Sequence, residues 1–177
     1  VRTLVLGGIR SGKSRWAEDA IADASAPGQS VRYLAAGPLD STDPDWSARI
    51  ASHRDRRPGH WTTEETGDVA RALRQPPAVP TLVDDLGTWL TGTLDRHDGW
   101  DGGSVDEPVE QLLEAVGAFG STLVLVSPEV GLTVVPATAS GRRFADELGS
   151  LNQRMAALCE QVVLVVAGQP LTIKAPA

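Results

Sequence analysis

Thr3-Leu4-Val5-Leu6-Gly7-Gly8-Ile9-Arg10-Ser11-Gly12-Lys13-Ser14 is the stretch that decides the fold. Its last eight residues fit G-x-x-x-x-G-K-[ST], the phosphate-binding P-loop. The apolar run before them reads as a buried strand. After them Trp16, Ala17, Ala20 and Ile21 recur at helical spacing. A strand, a glycine-rich loop and a helix in that order aim backbone N–H groups and a helix N-terminus at a polyphosphate. In such a loop Lys13 reaches the β- and γ-phosphates and the Ser14 hydroxyl ligates Mg²⁺. A nucleoside triphosphate, ATP or GTP, is therefore the expected ligand, and Mg²⁺ the expected cofactor.

Outward from this loop, apolar runs alternate with helical patterns along all 177 residues. That alternation predicts an α/β fold with a mostly parallel central sheet and helices on both faces, in one domain over 1–177. Strands are expected at Thr3–Leu6, Val31–Ala35, Thr81–Val83, Thr122–Val126 and Val162–Ala167, with a short edge strand at Leu171–Lys174. Their near-continuous valine and leucine content suits strands covered on both faces. Besides the helix after the P-loop, one should open at Asp43-Pro44 and run to about Arg56. Another opens at Pro108 with Val109, Leu112, Leu113 and Val116 in register, and a last one carries Phe144, Leu148, Leu151, Met155 and Leu158. Residues 75–80 and 95–106, rich in Gly, Pro and Asp, read as surface loops.

Composition excludes several function classes. A formal net charge of −7 argues against general nucleic-acid binding, which needs a basic surface. No apolar run approaches the ~20 residues of a membrane span, so no membrane insertion is expected. No leader pattern precedes the first strand, and the lone Cys159 cannot form an internal disulfide; both point to a cytoplasmic protein. Lys13 and Lys174 are the only lysines.

A P-loop enzyme needs a carboxylate at a neighbouring strand end to hold Mg²⁺ or its water shell. Thr81-Leu82-Val83-Asp84-Asp85 supplies Asp84 as the metal-site candidate, with Asp85 a second. A guanine-reading [NT]-K-x-D motif and a transporter-type signature loop are both missing, which leaves a small-molecule kinase. The cluster Arg54, Arg56 and Arg57 could clamp phosphoryl oxygens. Nearby, His53 lies seven residues after Trp46 and three after Ile50. By spacing alone it has two readings: a histidine packed on a neighbouring element, or an imidazole able to attack phosphorus beside the arginines. Trp46 and Trp89 are expected in the core, and His60 and His97 on the surface.

Taken together, these motifs make a chain that resembles the bifunctional adenosylcobinamide kinase/adenosylcobinamide-phosphate guanylyltransferase family of cobalamin biosynthesis. The resemblance rests on Gly7-Gly8-x-Arg10-Ser11-Gly12-Lys13-Ser14, Ala48-Arg49-Ile50-x-x-His53-Arg54 and Arg57-Pro58-x-x-Trp61-x-Thr63-x-Glu65. It continues in Leu125-Val126-Ser127-x-Glu129-Val130-Gly131, Val135-Pro136, Leu151-Asn152-Gln153-Arg154 and Val165-Val166-Ala167-Gly168. It implies phosphorylation of the aminopropanol hydroxyl of adenosylcobinamide by ATP or GTP, then transfer of GMP from GTP to that phosphate through a GMP-histidine intermediate at His53. Lys13 is the other catalytic residue so implied. Nucleotide contacts fall on Gly7, Gly8, Ile9, Arg10, Ser11, Gly12, Lys13 and Ser14, on Ala35, Ala36 and Gly37, on Arg54, Asp55, Arg56 and Arg57, and on Glu65 and Asp84, with Ser14 and Asp84 as metal ligands. A homo-oligomer, with a trimer as candidate, is also implied. The chain departs from the family pattern at Ser52, Ala36, Gly37, Pro128, Thr133 and Asp84, none of which removes a catalytic group. Two rival readings stand beside this one: a plain P-loop small-molecule kinase with a structural His53, and a nucleotide-sensing interaction module.

Overall fold

A computed structural model describes residues 1–37 and 58–176. Its centre is a seven-stranded sheet: β1 (Arg2–Gly7), β2 (Arg32–Ala35), β3 (Thr62–Glu65), β4 (Thr81–Asp84), β5 (Leu123–Pro128), β6 (Gln161–Val166) and β7 (Gln169–Lys174). The spatial order is β3-β2-β4-β5-β1-β6-β7, parallel throughout except for β7, which pairs antiparallel with β6. The helices are α1 (Lys13–Asp23), α2 (Val69–Arg74), α3 (Leu86–Arg96), α4 (Asp106–Ala118) and α5 (Ala139–Leu158).

Side chains along the strands alternate between two apolar layers, as a period of two requires. On one face Val5, Tyr33, Ala35, Leu82, Val124, Val126, Val163 and Val165 meet Ala17 and Ile21 of α1. On the other, Leu4, Leu34, Val83, Leu123 and Leu125 meet Leu86 and Leu90 of α3, Leu112 of α4, and Leu148 and Leu151 of α5. Both faces of the sheet are covered, which is why its inner strands read as unbroken apolar runs. This is the α/β P-loop architecture that the sequence predicts.

Three elements went unanticipated. β3, Thr62-Thr63-Glu64-Glu65, is a sheet edge with mostly exposed side chains, so no apolar pattern marks it. α2 is six residues long, opened by Asp68, whose side chain accepts from the Arg71 N–H. α3 contains two glycines and three threonines, poor helix formers, yet Leu86, Trp89, Leu90 and Leu94 are buried along one face.

The supposed loop at 95–106 is corrected as well. α3 runs through Arg96, Gly99–Asp101 forms a 3₁₀ turn, and α4 opens two residues before Pro108. Trp100 Nε1 donates to Asp95 at 2.6 Å and its ring lies against the core. Trp89 is in the core, and His60 and His97 are exposed, as expected. The helix expected from Asp43 to Arg56, with Trp46, lies outside the described residues.

Candidate functional site

β1 is flanked by β5 and β6, and the chain leaves it through α1 toward β2, on one side of the sheet. From β5 the chain leaves through α5 toward β6, on the other side. The two connections diverge, so a crevice opens between the carboxyl ends of β1 and β5. In open α/β sheets that switch point is where ligands bind.

The loop over residues 7–14 stands at this crevice. Arg10 and Gly12 have positive φ, 55° and 94°, which curls the backbone into the concave turn that precedes α1. Gly12 is required twice over: its φ suits glycine, and a Cβ there would lie 3.2 Å from the Gly168 Cα. Gly168 belongs to the two-residue turn of the β6–β7 hairpin, where Ala167 and Gly168 both have positive φ, the primed geometry that matches strand twist. Its N–H donates to the Ser11 carbonyl at 2.7 Å. The hairpin therefore braces the loop from below. At the loop's start, the Glu129 N–H donates to the Gly7 carbonyl at 3.0 Å. Gly7 cannot carry a side chain, because a Cβ would collide with the buried Ser11 Oγ. Lys13 Nζ donates to the Gly8 carbonyl at 3.4 Å in an exposed bond and so lies folded back over the loop.

Asp84, at the end of β4, faces the same side as α1. The Ser14 hydroxyl donates to its Oδ1 at 3.3 Å, and the Tyr33 hydroxyl donates to its Oδ2 at 2.6 Å. Ser14 and Asp84, seventy residues apart, thus meet at the mouth of the loop. A hydroxyl and a carboxylate set side by side are hard oxygen donors of the kind Mg²⁺ takes. Asp85 acts elsewhere, since its side chain accepts from the Thr88 N–H at 2.8 Å and caps α3.

The remaining candidate residues are dispersed. Ala35 and Ala36 are buried at the end of β2, and Gly37 follows them. Ala36 N–H donates to the Asp84 carbonyl and Gly37 N–H to the Ala35 carbonyl, so their donors are committed to the sheet edge. Glu65 is exposed at the end of β3, four strand positions from β1. At the usual strand spacing that is about 19 Å across the sheet. His53, Arg54, Asp55, Arg56 and Arg57 lie outside the described residues.

Four residues support this site in ways that sequence reasoning did not assign. Tyr33 had only a buried-strand signal. Gly168 gave no hint that its N–H would hold the P-loop. Ser127 Oγ donates to Asn152 Oδ1 at 2.6 Å, and Asn152 Nδ2 donates to the Pro128 carbonyl at 3.0 Å, which fastens the end of β5 to α5. Cys159 is no nucleophile, since burial pushes its thiol up to about 12.

Fold and site together define a P-loop nucleotide-binding protein: the glycine loop between strand and helix, the helix serine, and the aspartate at a neighbouring strand end. The sequence narrows this further. Residues 3–173 match the family described as cobinamide kinase / cobinamide phosphate guanyltransferase, and the chain belongs to that family. It is 42% identical over 177 residues to the bifunctional adenosylcobalamin biosynthesis protein CobP of Pseudomonas aeruginosa, with 98% of each chain covered. It is 36% identical to the CobU protein of the same description from Salmonella typhimurium, covering 97% of this chain and 98% of that one. Among solved structures it resembles the flagellar accessory protein FlaH of Methanocaldococcus jannaschii, with TM-score 0.52 and 10% identity over 99% of this chain and 78% of the other. That likeness speaks to the fold alone. No helix among the described residues is long and apolar enough to cross a membrane.

Proposed function

We propose that this chain is a bifunctional enzyme of cobalamin biosynthesis that uses one P-loop for two transfers. In the first, the aminopropanol hydroxyl of adenosylcobinamide attacks the γ-phosphorus of ATP or GTP. The bond to the β–γ bridging oxygen breaks and the nucleoside diphosphate leaves. In the second, the imidazole of His53 attacks the α-phosphorus of GTP, forming a P–N bond as pyrophosphate departs. A phosphate oxygen of adenosylcobinamide phosphate then attacks the same phosphorus. The P–N bond breaks, His53 is restored, and adenosyl-GDP-cobinamide is formed.

The observation that carries this reading, beyond family membership, is the Ser14–Asp84 pair at the mouth of the loop. Ser14 and Asp84 would hold Mg²⁺, which when bound draws charge from the phosphate oxygens. The backbone N–H groups of residues 7–14 and the Lys13 ammonium bind the polyphosphate and offset charge that builds on it in either transfer. Arg54, Arg56 and Arg57 hold the departing pyrophosphate in the second step. Glu65 stands at the sheet edge, two strand positions beyond Asp84, and its contact is with the base or ribose. One domain over 1–177 carries both activities, in the cytoplasm, within a homo-oligomer for which a trimer is the candidate.

Incubation with Mg²⁺ and GTP labelled at the α- or the γ-phosphate tests the reading. Acid-labile, alkali-stable α-label on the denatured protein, lost in His53→Ala, is the expected result. If the native sequence takes up no α-label, the guanylyltransferase half is wrong. Phosphorylation of cobinamide without α-label would leave a plain kinase.

A further inference from the structure

The chain between β5 and α5 carries a feature that the nucleotide chemistry does not use. Leu132, Val134 and Val135 stand 79%, 87% and 73% exposed within four residues. Large apolar side chains grouped this way in water mark a binding surface more often than chance decoration. Their exposure is not that of a frayed segment, because both ends of the strap are pinned. At one end the Glu129 N–H is bonded to Gly7, the Glu129 carboxylate accepts from the Gly131 N–H at 2.6 Å, and Val130 packs on the core. At the other end Arg142 Nη1 donates to the carbonyls of Pro136 and Ala137 at 3.0 and 2.9 Å, and Thr138 Oγ1 accepts from the Gly141 N–H. The middle is held out to solvent.

We propose that residues 132–135 form the seat of the acceptor's corrin ring; this rests on the family reading given above. Position favours it first. The strap leaves the carboxyl end of β5, the neighbour of β1, at the point where the Glu129 N–H holds the first glycine of the P-loop. Leu132 follows Glu129 by three residues, so its backbone lies at most about 11 Å from the N–H that touches the loop's first glycine. An acceptor whose ring rests there keeps its hydroxyl-bearing arm within the crevice where the γ-phosphate is presented.

Chemistry favours it independently. Residues 130–138 carry no ionisable side chain, although the chain as a whole has a net charge of −7. A corrin is a broad ring with a methylated face and uncharged amide arms. It is matched by apolar contact and backbone carbonyls rather than by ion pairs. A phosphorylated or peptidic partner would call for charges that the strap does not have.

The test uses the full chain with Leu132, Val134 and Val135 changed together to Ser, none of them part of the nucleotide machinery. Cobinamide binding is followed by equilibrium dialysis through the ring's visible absorbance, in the presence of a non-hydrolysable GTP analogue. Affinity for that analogue and the mass in solution are measured alongside. The expected result is a cobinamide dissociation constant raised about tenfold or more, with analogue affinity and mass at their native values. Val134→Ile with Val135→Ile, which keeps the surface apolar, should bind cobinamide as the native chain does. If the triple variant loses analogue affinity through misfolding, the three single Ser variants take its place, each expected to weaken cobinamide binding severalfold. Unchanged cobinamide affinity overturns the proposal. A fall in mass also overturns it and assigns the strap to contacts between copies of the chain. A native protein that binds the analogue but no cobinamide would instead remove the family-based reading, before any variant is made.

Discussion

Asp84 is gripped by the Ser14 hydroxyl on one carboxylate oxygen and the Tyr33 hydroxyl on the other. The Tyr33 bond, at 2.6 Å to a charged acceptor, is the shorter of the two, so it fixes how the carboxylate faces the loop. Tyr33→Phe keeps the ring in the core and deletes that bond. Stability should fall by about 1.5–3 kcal/mol, and the Mg²⁺ concentration for half-maximal activity should rise. A Mg²⁺ titration of turnover checks this, and an unchanged midpoint would deny Tyr33 a positioning role. A second residue-scale pair joins the starts of β1 and β6. The Arg2 guanidinium, and the Arg2 N–H at 2.5 Å, donate to the Glu160 carboxylate and hold its pKa down to about 2 from 4.5. A carboxyl with a depressed folded-state pKa adds stability that is complete above its unfolded value. That stability is lost as pH falls from about 4.5 toward 2. With the side chains 25% and 38% exposed, solvent screening limits the pair to about 1 kcal/mol or less. Melting curves of Glu160→Gln should therefore lie slightly below the native ones at pH 6 and converge with them by pH 2–3.

At the scale of elements, the second lysine of the chain has a structural use. Lys174 Nζ, on β7, donates to the carbonyls of Ala156, Ala157 and Cys159 at 3.1, 3.5 and 2.6 Å. These lie at the C-terminal end of α5, where carbonyls lack intrahelical partners and the helix dipole favours a cation. Lys174→Met keeps the stem and removes the cap, so it should cost about 1 kcal/mol and lower Tm by about 2–4 °C. Differential scanning calorimetry measures it; an unchanged Tm would mean that water replaces the ammonium without loss. Elements also divide what sequence could disclose from what it could not. β1, β2, β4, β5 and β6 were legible because both faces of each are covered and the apolar run is unbroken. β3 was not, because a sheet edge made of Thr and Glu buries little and its pairing with β2 is a backbone matter. The periodicity of α3 was present in Leu86, Trp89, Leu90 and Leu94 but was masked by glycine and threonine. In the site, the P-loop and Asp84 carry their own motifs. The roles of Tyr33 and Gly168 were not legible, since each depends on contacts made only when distant strands come together.

For the molecule as a whole, the sheet is a ruler laid under the nucleotide. β1 holds the P-loop, Asp84 on β4 is two strand positions away and touches Ser14, and Glu65 on β3 is four away at the edge. A carboxylate there would be repelled by the β- and γ-phosphates rather than bind them. Its chemistry suits N–H and O–H donors, which a guanine or ribose offers and a bare polyphosphate lacks. Glu65→Ala should therefore weaken GTP binding about tenfold, the size of one charge-assisted hydrogen bond, while leaving inorganic tripolyphosphate binding at its native strength. Ligand-induced stabilisation makes the comparison direct, because each ligand raises Tm according to its concentration relative to its own dissociation constant. Under saturating Mg²⁺, the GTP-induced shift should shrink in Glu65→Ala and the tripolyphosphate shift should stay. Equal losses with both ligands would mean that the edge of the sheet acts on the loop through the fold. No loss with either would take Glu65 out of the nucleotide site and confine binding to the strands from β4 to β1.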